Sequence, residues 1–357
     1  MIATLPPTKF CARGRVLASA LGVLALAGCG SSTATHSSTS APAASTASRS
    51  STASAGAPAA PPAASDALSA AQHPRADQFP SARGRSLRQL GRLVRSSAQF
   101  GAATGTFTPG TRRLAFGLNT NSGQFIYAPT AVYISRTPAA PARGPFLAAA
   151  DPMTVAPQYR SKQNAGPGGI KAIYAAQLPI PRSGTYTVLA LTRTPQGLIG
   201  SPGEIAVAAS SPIPDVGQRA PAIATDTPAT VGHNTALLTT RLPPEQMHSV
   251  SLDQVLGKRP VALLFSTPQF CVSRVCGPVT DVAVQLQHQF GDRIDFIHQE
   301  VYLDNQPSKG LRPQLKAFHL RTEPWLFVIN RRGVIVARLE GAFGSTELTQ
   351  AVRAALR

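Results

Sequence analysis

The sequence predicts a multidomain protein in which an all-β domain precedes an α/β domain, and three observations carry that expectation. Its 357 residues, 43% of them hydrophobic, exceed what one hydrophobic core usually holds. Between about residues 112 and 211, short runs rich in Val, Ile, Tyr and Thr alternate with Gly, Pro and Asn clusters, which is the punctuation of strands and turns. Beyond about residue 250, strand-like apolar runs alternate with runs of helical period.

The first element is an address. Lys9, Arg13 and Arg15 precede an apolar run from Val16 to Leu26, long enough for an export signal and too short to span a bilayer. The run ends in Leu26-Ala27-Gly28-Cys29, which resembles the bacterial lipoprotein box at every position. That resemblance implies removal of residues 1–28 and attachment of lipid, acyl chains such as palmitate included, to the Cys29 thiol. More than one acyl chain suffices for stable anchoring at ~0.8 kcal/mol per buried CH2. The expected location is therefore the extracytoplasmic face of the cell membrane, with membrane lipid as a partner through Cys29.

From Gly30 to about Ser65 the chain is almost entirely Ser, Thr, Ala, Pro and Gly, too poor in apolar side chains to offset the entropy of ordering. Residues 29–80 are thus expected to form a tether. Arg85, Arg88, Arg92 and Arg95 then recur at helical spacing opposite Leu87, Leu90 and Val94, which suggests a basic amphipathic helix over 81–100, although Gly91 interrupts it. Such a stripe would touch anionic lipid or pack as an ordinary surface helix.

The all-β domain is expected over 105–211, with strands at Arg113–Leu118, Ala131–Ser135, Lys171–Leu178, Thr185–Thr192 and Glu204–Ala208. In the fourth of these, Tyr186, Val188 and Ala190 share one buried face, although the alternation is only partial. About a hundred residues with this spacing suggest an immunoglobulin-like sandwich. It contains no Cys and no His, so binding or spacing is its expected role and no metal site is expected in it. A proline-rich linker follows over 212–245.

Charge sorts along the same axis. The formal net charge is +18, but residues 1–214 hold 19 basic against 4 acidic residues, and the remainder is nearly balanced. Aromatics are sparse at 6% with a single Trp, and no basic run is interleaved with them, so nucleic acid is not an expected partner.

Cys11 falls within the signal and Cys29 is committed to lipid, which leaves Cys271 and Cys276 as the thiols of the soluble part. Outside the cytoplasm such a pair tends towards a disulfide bond. The apolar strand Val261–Ser266 leads to a turn holding Cys271. After Gly277-Pro278, apolar residues at 279, 282, 283, 286 and 290 mark a helix that starts at or beside Cys276. The unpaired amides and dipole of a helix N-terminus favour thiolate over thiol.

With the later strands Ile294–His298, Trp325–Ile329 and Val334–Leu339, and helices around 311–318 and 346–356, residues 246–357 resemble the thioredoxin superfamily. The resemblance implies a cis proline at Pro324, with Glu323 facing the reactive sulfur. The usual Cys-Gly-Pro-Cys is matched here by Cys276-Gly277-Pro278-Val279, so the second cysteine of the motif is missing and Cys271 lies five residues upstream. Two registrations follow. Cys276 is the nucleophile by its Cys-Gly-Pro match and its helix end, which is the preferred reading, with Cys271 resolving; or Cys271 is the nucleophile by its distance from the strand. The implied function is a membrane-anchored thiol-disulfide oxidoreductase acting on the thiols or disulfides of exported proteins. Its catalytic residues would be Cys276, Cys271 and Pro324, with no cofactor and no metal; the sequence does not name a redox partner.

Three alternatives stay open. A redox-inert thioredoxin-like binding lipoprotein would use the pair as a staple. Ser273-Arg274-Val275-Cys276 also resembles the peroxiredoxin Thr/Ser-x-x-Cys, with Arg274, Arg312 and Arg321 as candidates to polarise a peroxide. Thioredoxin-like copper chaperones hold the metal on two thiolates and one imidazole, for which His298 and His319 are available.

Overall fold

Strand-forming runs of the first half assemble into one large sheet in the computed structural model, which describes residues 64–164 and 169–357, all within one unit, Ala59–Arg357. The expected signal peptide, the lipidation site Cys29 and the tether up to residue 63 lie outside the described residues. The strands are β1 (Ser96–Ser97), β2 (Gln99–Ala102), β3 (Gly110–Asn119), β4 (Thr130–Ser135), β5 (Arg143–Pro152), β6 (Ala172–Ile180), β7 (Gly184–Thr194) and β8 (Gly197–Val207). Their order is β1-β8-β7-β4-β5-β6-β3-β2. Because β1 and β2 are consecutive in the chain, one pairing with β8 and the other with β3, the sheet closes on itself like a barrel.

This corrects the expected immunoglobulin-like sandwich of two separate sheets. Strand β5 pairs with β4 up to Ala148 and with β6 from Ala148 onward, so one strand carries the hydrogen-bond ladder around the corner. An extra residue on β5, where Phe146 pairs with Val132 but Arg143 with Ile134, and the bend at Gly144 permit the turn. Gly144 has φ +134°, and a Cβ there would lie 2.8 Å from the Val132 carbonyl oxygen.

Tyr186, Val188 and Ala190 do share the barrel interior. The alternation of β7 is incomplete because its other face is covered too: Leu189 and Leu191 pack under Phe79, Leu87 and Leu90. That cover replaces the basic helix expected over 81–100. Only α2 (Leu87–Gly91) is helical, capped by Ser86, whose Oγ accepts the Gln89 N–H while the Gln89 side chain accepts the Ser86 N–H. It ends at Gly91, and the chain then enters β1 and β2. The end of the expected tether is also ordered: α1 (Ala64–Gln72) sets Leu68 and Ala71 against the barrel core.

The expected linker over 212–245 is a wrap. Ile213, Ala220 and Ile223 pack into the C-terminal core, and the N–H groups of Gly217 and Ala220 pair with the carbonyls of Ile335 and Gly333. Its prolines suppress regular structure without releasing the chain, because side chains such as Arg241 and Asp226 take over the anchoring.

The C-terminal elements are α3 (Leu252–Val255), β9 (Val261–Phe265), α4 (Cys276–Phe290), β10 (Asp295–Gln299), α5 (Pro313–Ala317), β11 (Trp325–Ile329), β12 (Ile335–Glu340) and α6 (Ser345–Ala355). They run in the order that the thioredoxin resemblance implies. The sheet order is β10-β9-β11-β12, with β9 and β10 parallel and the other pairs antiparallel. Strand β11 is buried at every position because apolar side chains cover both faces. One face meets α4, α6 and the barrel residues Ala115, Met153, Val155 and Ile173; the other meets Leu315 and Phe318.

Polar ties fix the barrel to this domain. Asp151 on β5 accepts the N–H groups of Gly344, Thr346 and Glu347 at 2.7, 2.9 and 3.1 Å, capping α6 from the barrel. Arg113 makes a bidentate pair with Glu347. Gly341, φ +71°, lies so close to the Ala103 carbonyl that any side chain would collide with it.

Candidate active site

The loop between β9 and α4 brings both cysteines to the edge of the sheet as two thiols, without the expected disulfide bond. Arg274 adopts φ +59°, and its N–H returns to the Cys271 carbonyl at 3.1 Å, so the five-residue spacing is folded into a tight turn. Cys276 is the first residue of α4 and fully buried, whereas Cys271 is 9% exposed beside the exposed residues Val272 and Ser273.

The helix-end argument holds, but its recipient changes. The Cys276 backbone N–H donates to Cys271 Sγ at 3.4 Å, so the first amide of α4 stabilises negative charge on Cys271. Ser273 Oγ lies 3.2 Å from the same sulfur. A hydrogen bond from the Cys276 thiol, helped by Ser273 and the amides, brings Cys271 down to about 6 against the effect of burial. Burial pushes Cys276 well above the ordinary thiol range, and a negative Cys271 adds to it. The accessible, acidic sulfur is Cys271, and Cys276 lies behind it.

The Glu323–Pro324 bond is cis. The Pro324 carbonyl accepts the Gly341 N–H at 2.8 Å, which ties this turn to the end of β12. Burial, reinforced by the charge of Cys271, pushes the Glu323 carboxyl up to about 7. An acid that titrates near neutrality thus stands beside the thiol pair.

A buried polar network underlies the site, and sequence spacing did not reveal it. Glu245 Oε1 lies 2.6 Å from His298 Nδ1 and 2.7 Å from His248 Nε2. His298 Nε2 lies 2.8 Å from Ser266 Oγ, which bonds Thr280 Oγ1, and Thr280 donates to the Cys276 carbonyl. Burial alone would raise Glu245, but the charge of His298 and the two imidazole hydrogen bonds hold it well below the carboxylate range. Burial likewise opposes protonation of His298, yet Glu245 keeps its pKa raised. Glu245, His248 and His298 lie close enough together to hold a metal; Glu245 Oε1 is within hydrogen-bond distance of both imidazoles, whereas His248 Nδ1 is buried without a hydrogen-bond partner.

Three of the residues named for the alternative chemistries are engaged or placed elsewhere. Both ring nitrogens of His298 are engaged away from the sulfurs, and exposed His319 lines a different cavity with Phe107 and Ile213. Arg312 is held by Asp226, Asn305 and the carbonyls of Leu237 and Tyr302, which leaves it committed to structure.

No protein-family model matches the chain, and no curated protein matches it. Among solved structures the chain is similar to a thiol:disulfide interchange protein, DsbE, from Chlorobium tepidum. The match has 17% identity and a TM-score of 0.29, and covers 40% of this chain and 99% of that one. At that score the likeness adds nothing to what the geometry of the two sulfurs says.

Proposed function

We propose that the C-terminal domain is a thiol-disulfide oxidoreductase in which Cys271 attacks and Cys276 resolves. The supporting observation is the asymmetry of the pair: the first amide of α4 and Ser273 both face the Cys271 sulfur, while Cys276 is enclosed. With Cys271 at about 6, roughly nine in ten of these thiols are ionised at pH 7.

In the reducing direction the Cys271 thiolate attacks a substrate disulfide. A Cys271–substrate S–S bond forms, the substrate S–S bond breaks, and the departing thiolate takes a proton, for which the Glu323 carboxyl is a donor near neutrality. Cys276 then gives its proton to the Glu323 carboxylate left by the first step and attacks the Cys271 sulfur. The Cys271–Cys276 disulfide forms, the mixed disulfide breaks, and the substrate leaves with its second sulfur reduced. Two electrons pass from the pair to the substrate, and the same steps reversed oxidise a dithiol. Pro324 shapes the chain reversal that keeps Glu323 beside the sulfurs.

The same proposal includes lipid anchoring through Cys29 at the extracytoplasmic face and exported proteins as substrates. It rests on the residues before Cys29 in the sequence; among the described residues no helix is long and apolar enough to cross a membrane. The mass of the mature N-terminal peptide tests it: a lipidated Cys29 is expected, and an unmodified one overturns it.

Trapping tests the chemistry. With Cys276→Ser, a mixed disulfide at Cys271 is expected to accumulate on exported cysteine-containing proteins, and with Cys271→Ser none. Trapping by Cys271→Ser alone would reverse the roles, and trapping by neither would leave a redox-inert binding lipoprotein.

A further inference from the structure

Along β3 the side chains alternate between the barrel interior and the C-terminal domain. Leu114, Phe116 and Leu118 point inward, while Ala115 packs on the helices of the other domain. Gly117 and Asn119 continue that second face, and Gly117 stands directly opposite Gly101 on β2. Two facing glycines withdraw both side chains where the neighbouring positions make contact. A Cβ at Gly101 would meet only the Gly117 carbonyl, at 3.8 Å, and one at Gly117 only the Phe125 ring, also at 3.8 Å. A cavity of about 580 Å³ occupies the space.

Its position is specific. The barrel contributes Phe125, Ile170 and Ile173, and the C-terminal domain contributes Ser273, Val275 and Glu323, the residues that flank the cysteine turn. The wall is mainly apolar, with Asn119, Ser273 and Glu323 among its polar residues. Volume and lining match sites that enclose an apolar group and fix it with a few polar contacts.

We propose that this cavity is the specificity pocket of the thiol exchange site. It takes a large apolar side chain within two residues of the reacting cysteine of an extended polypeptide. The inference rests on the oxidoreductase reading. A polypeptide is the committed occupant because the pocket adjoins the exposed Val272–Arg274 turn, so a chain bonded at Cys271 can run on past the mouth into solvent. The barrel is then the second wall of the substrate site and not a spacer.

The test uses the full chain and two disulfide-linked peptide pairs that differ only beside the cysteine, one with Phe and one with Ser. Wild type is expected to reduce the Phe peptide with a kcat/KM about tenfold higher. Gly117→Leu, which fills the pocket, is expected to bring the ratio close to one. Equal wild-type rates on the two peptides, or a ratio unchanged by Gly117→Leu, would overturn the pocket while leaving the oxidoreductase standing. Failure to reduce either peptide, with no trapped intermediate in Cys276→Ser, would instead remove the underlying reading.

Discussion

The backbone N–H of Cys276 points at the sulfur of Cys271 from 3.4 Å, so the start of α4 activates a cysteine that lies outside the helix. The consequence is measurable by alkylation. The iodoacetamide rate of the native protein is expected to rise with pH about a midpoint near 6, the modification falling on Cys271, and Cys276 is expected to react only after unfolding. A midpoint above 8, or modification of Cys276 first, would refute the assignment.

Burial pushes the Glu323 carboxyl up to about 7 while Cys271 is brought down to about 6, so the proposed exchange takes a deprotonated sulfur and a protonated carboxyl together. The pH–rate profile is therefore expected to be a narrow bell, rising near 6 and falling near 7. Glu323→Gln should abolish the falling limb and slow turnover by about tenfold or more, as loss of a general acid does. A bell that persists in the variant would place the second titration elsewhere.

Much of this architecture could be read from the sequence, and the misses share a physical cause. Strand β11 and helix α4 were visible because burial on two faces and a helical period both write themselves into residue order. Strand β5 was not, since Gly144, Pro145 and the Ala148–Ala150 run have low β propensity and pair only because β4 and β6 supply partners. Asp151 caps a helix 193 residues away, a relation no local pattern carries. For the cysteines, spacing located the helix end but could not say which sulfur receives its amide. The left-handed turn at Arg274 decides that.

Glu245 and His298 form a buried pair whose contribution to stability has two edges. The lowered Glu245 contributes stability that is present above 4.5 and is lost as pH falls through its depressed pKa in the fold. The raised His298 contributes stability that is fully present below 6.5 and is lost as pH rises through its elevated one. Removing His298 leaves the buried Glu245 carboxylate with only His248 and Thr239 as partners, so His298→Leu is expected to cost about 3 kcal/mol in denaturant unfolding at pH 6, and less as the pH rises. A loss below about 1 kcal/mol would show that the pair is not ionised in the fold.

Asp151 ties the two domains, and its own titration sets the sign of a further pH effect. Burial, with the charge of Glu347 behind it, pushes this carboxyl up to about 6 even though three amides of α6 face it. The folded state therefore holds the proton more tightly than the unfolded chain, and this group's share of stability declines as pH rises from about 4 to 6. Asp151→Ala leaves the Gly344, Thr346 and Glu347 amides without their acceptor, at a cost of about 2 kcal/mol. It should also flatten the pH dependence of the melting temperature across that interval. Because the lost bonds join barrel to helix, the variant is further expected to separate a single unfolding transition into two, which calorimetry would resolve. One transition with the wild-type pH slope would mean that Arg113 and the apolar contact around Ile173 couple the domains without help from Asp151.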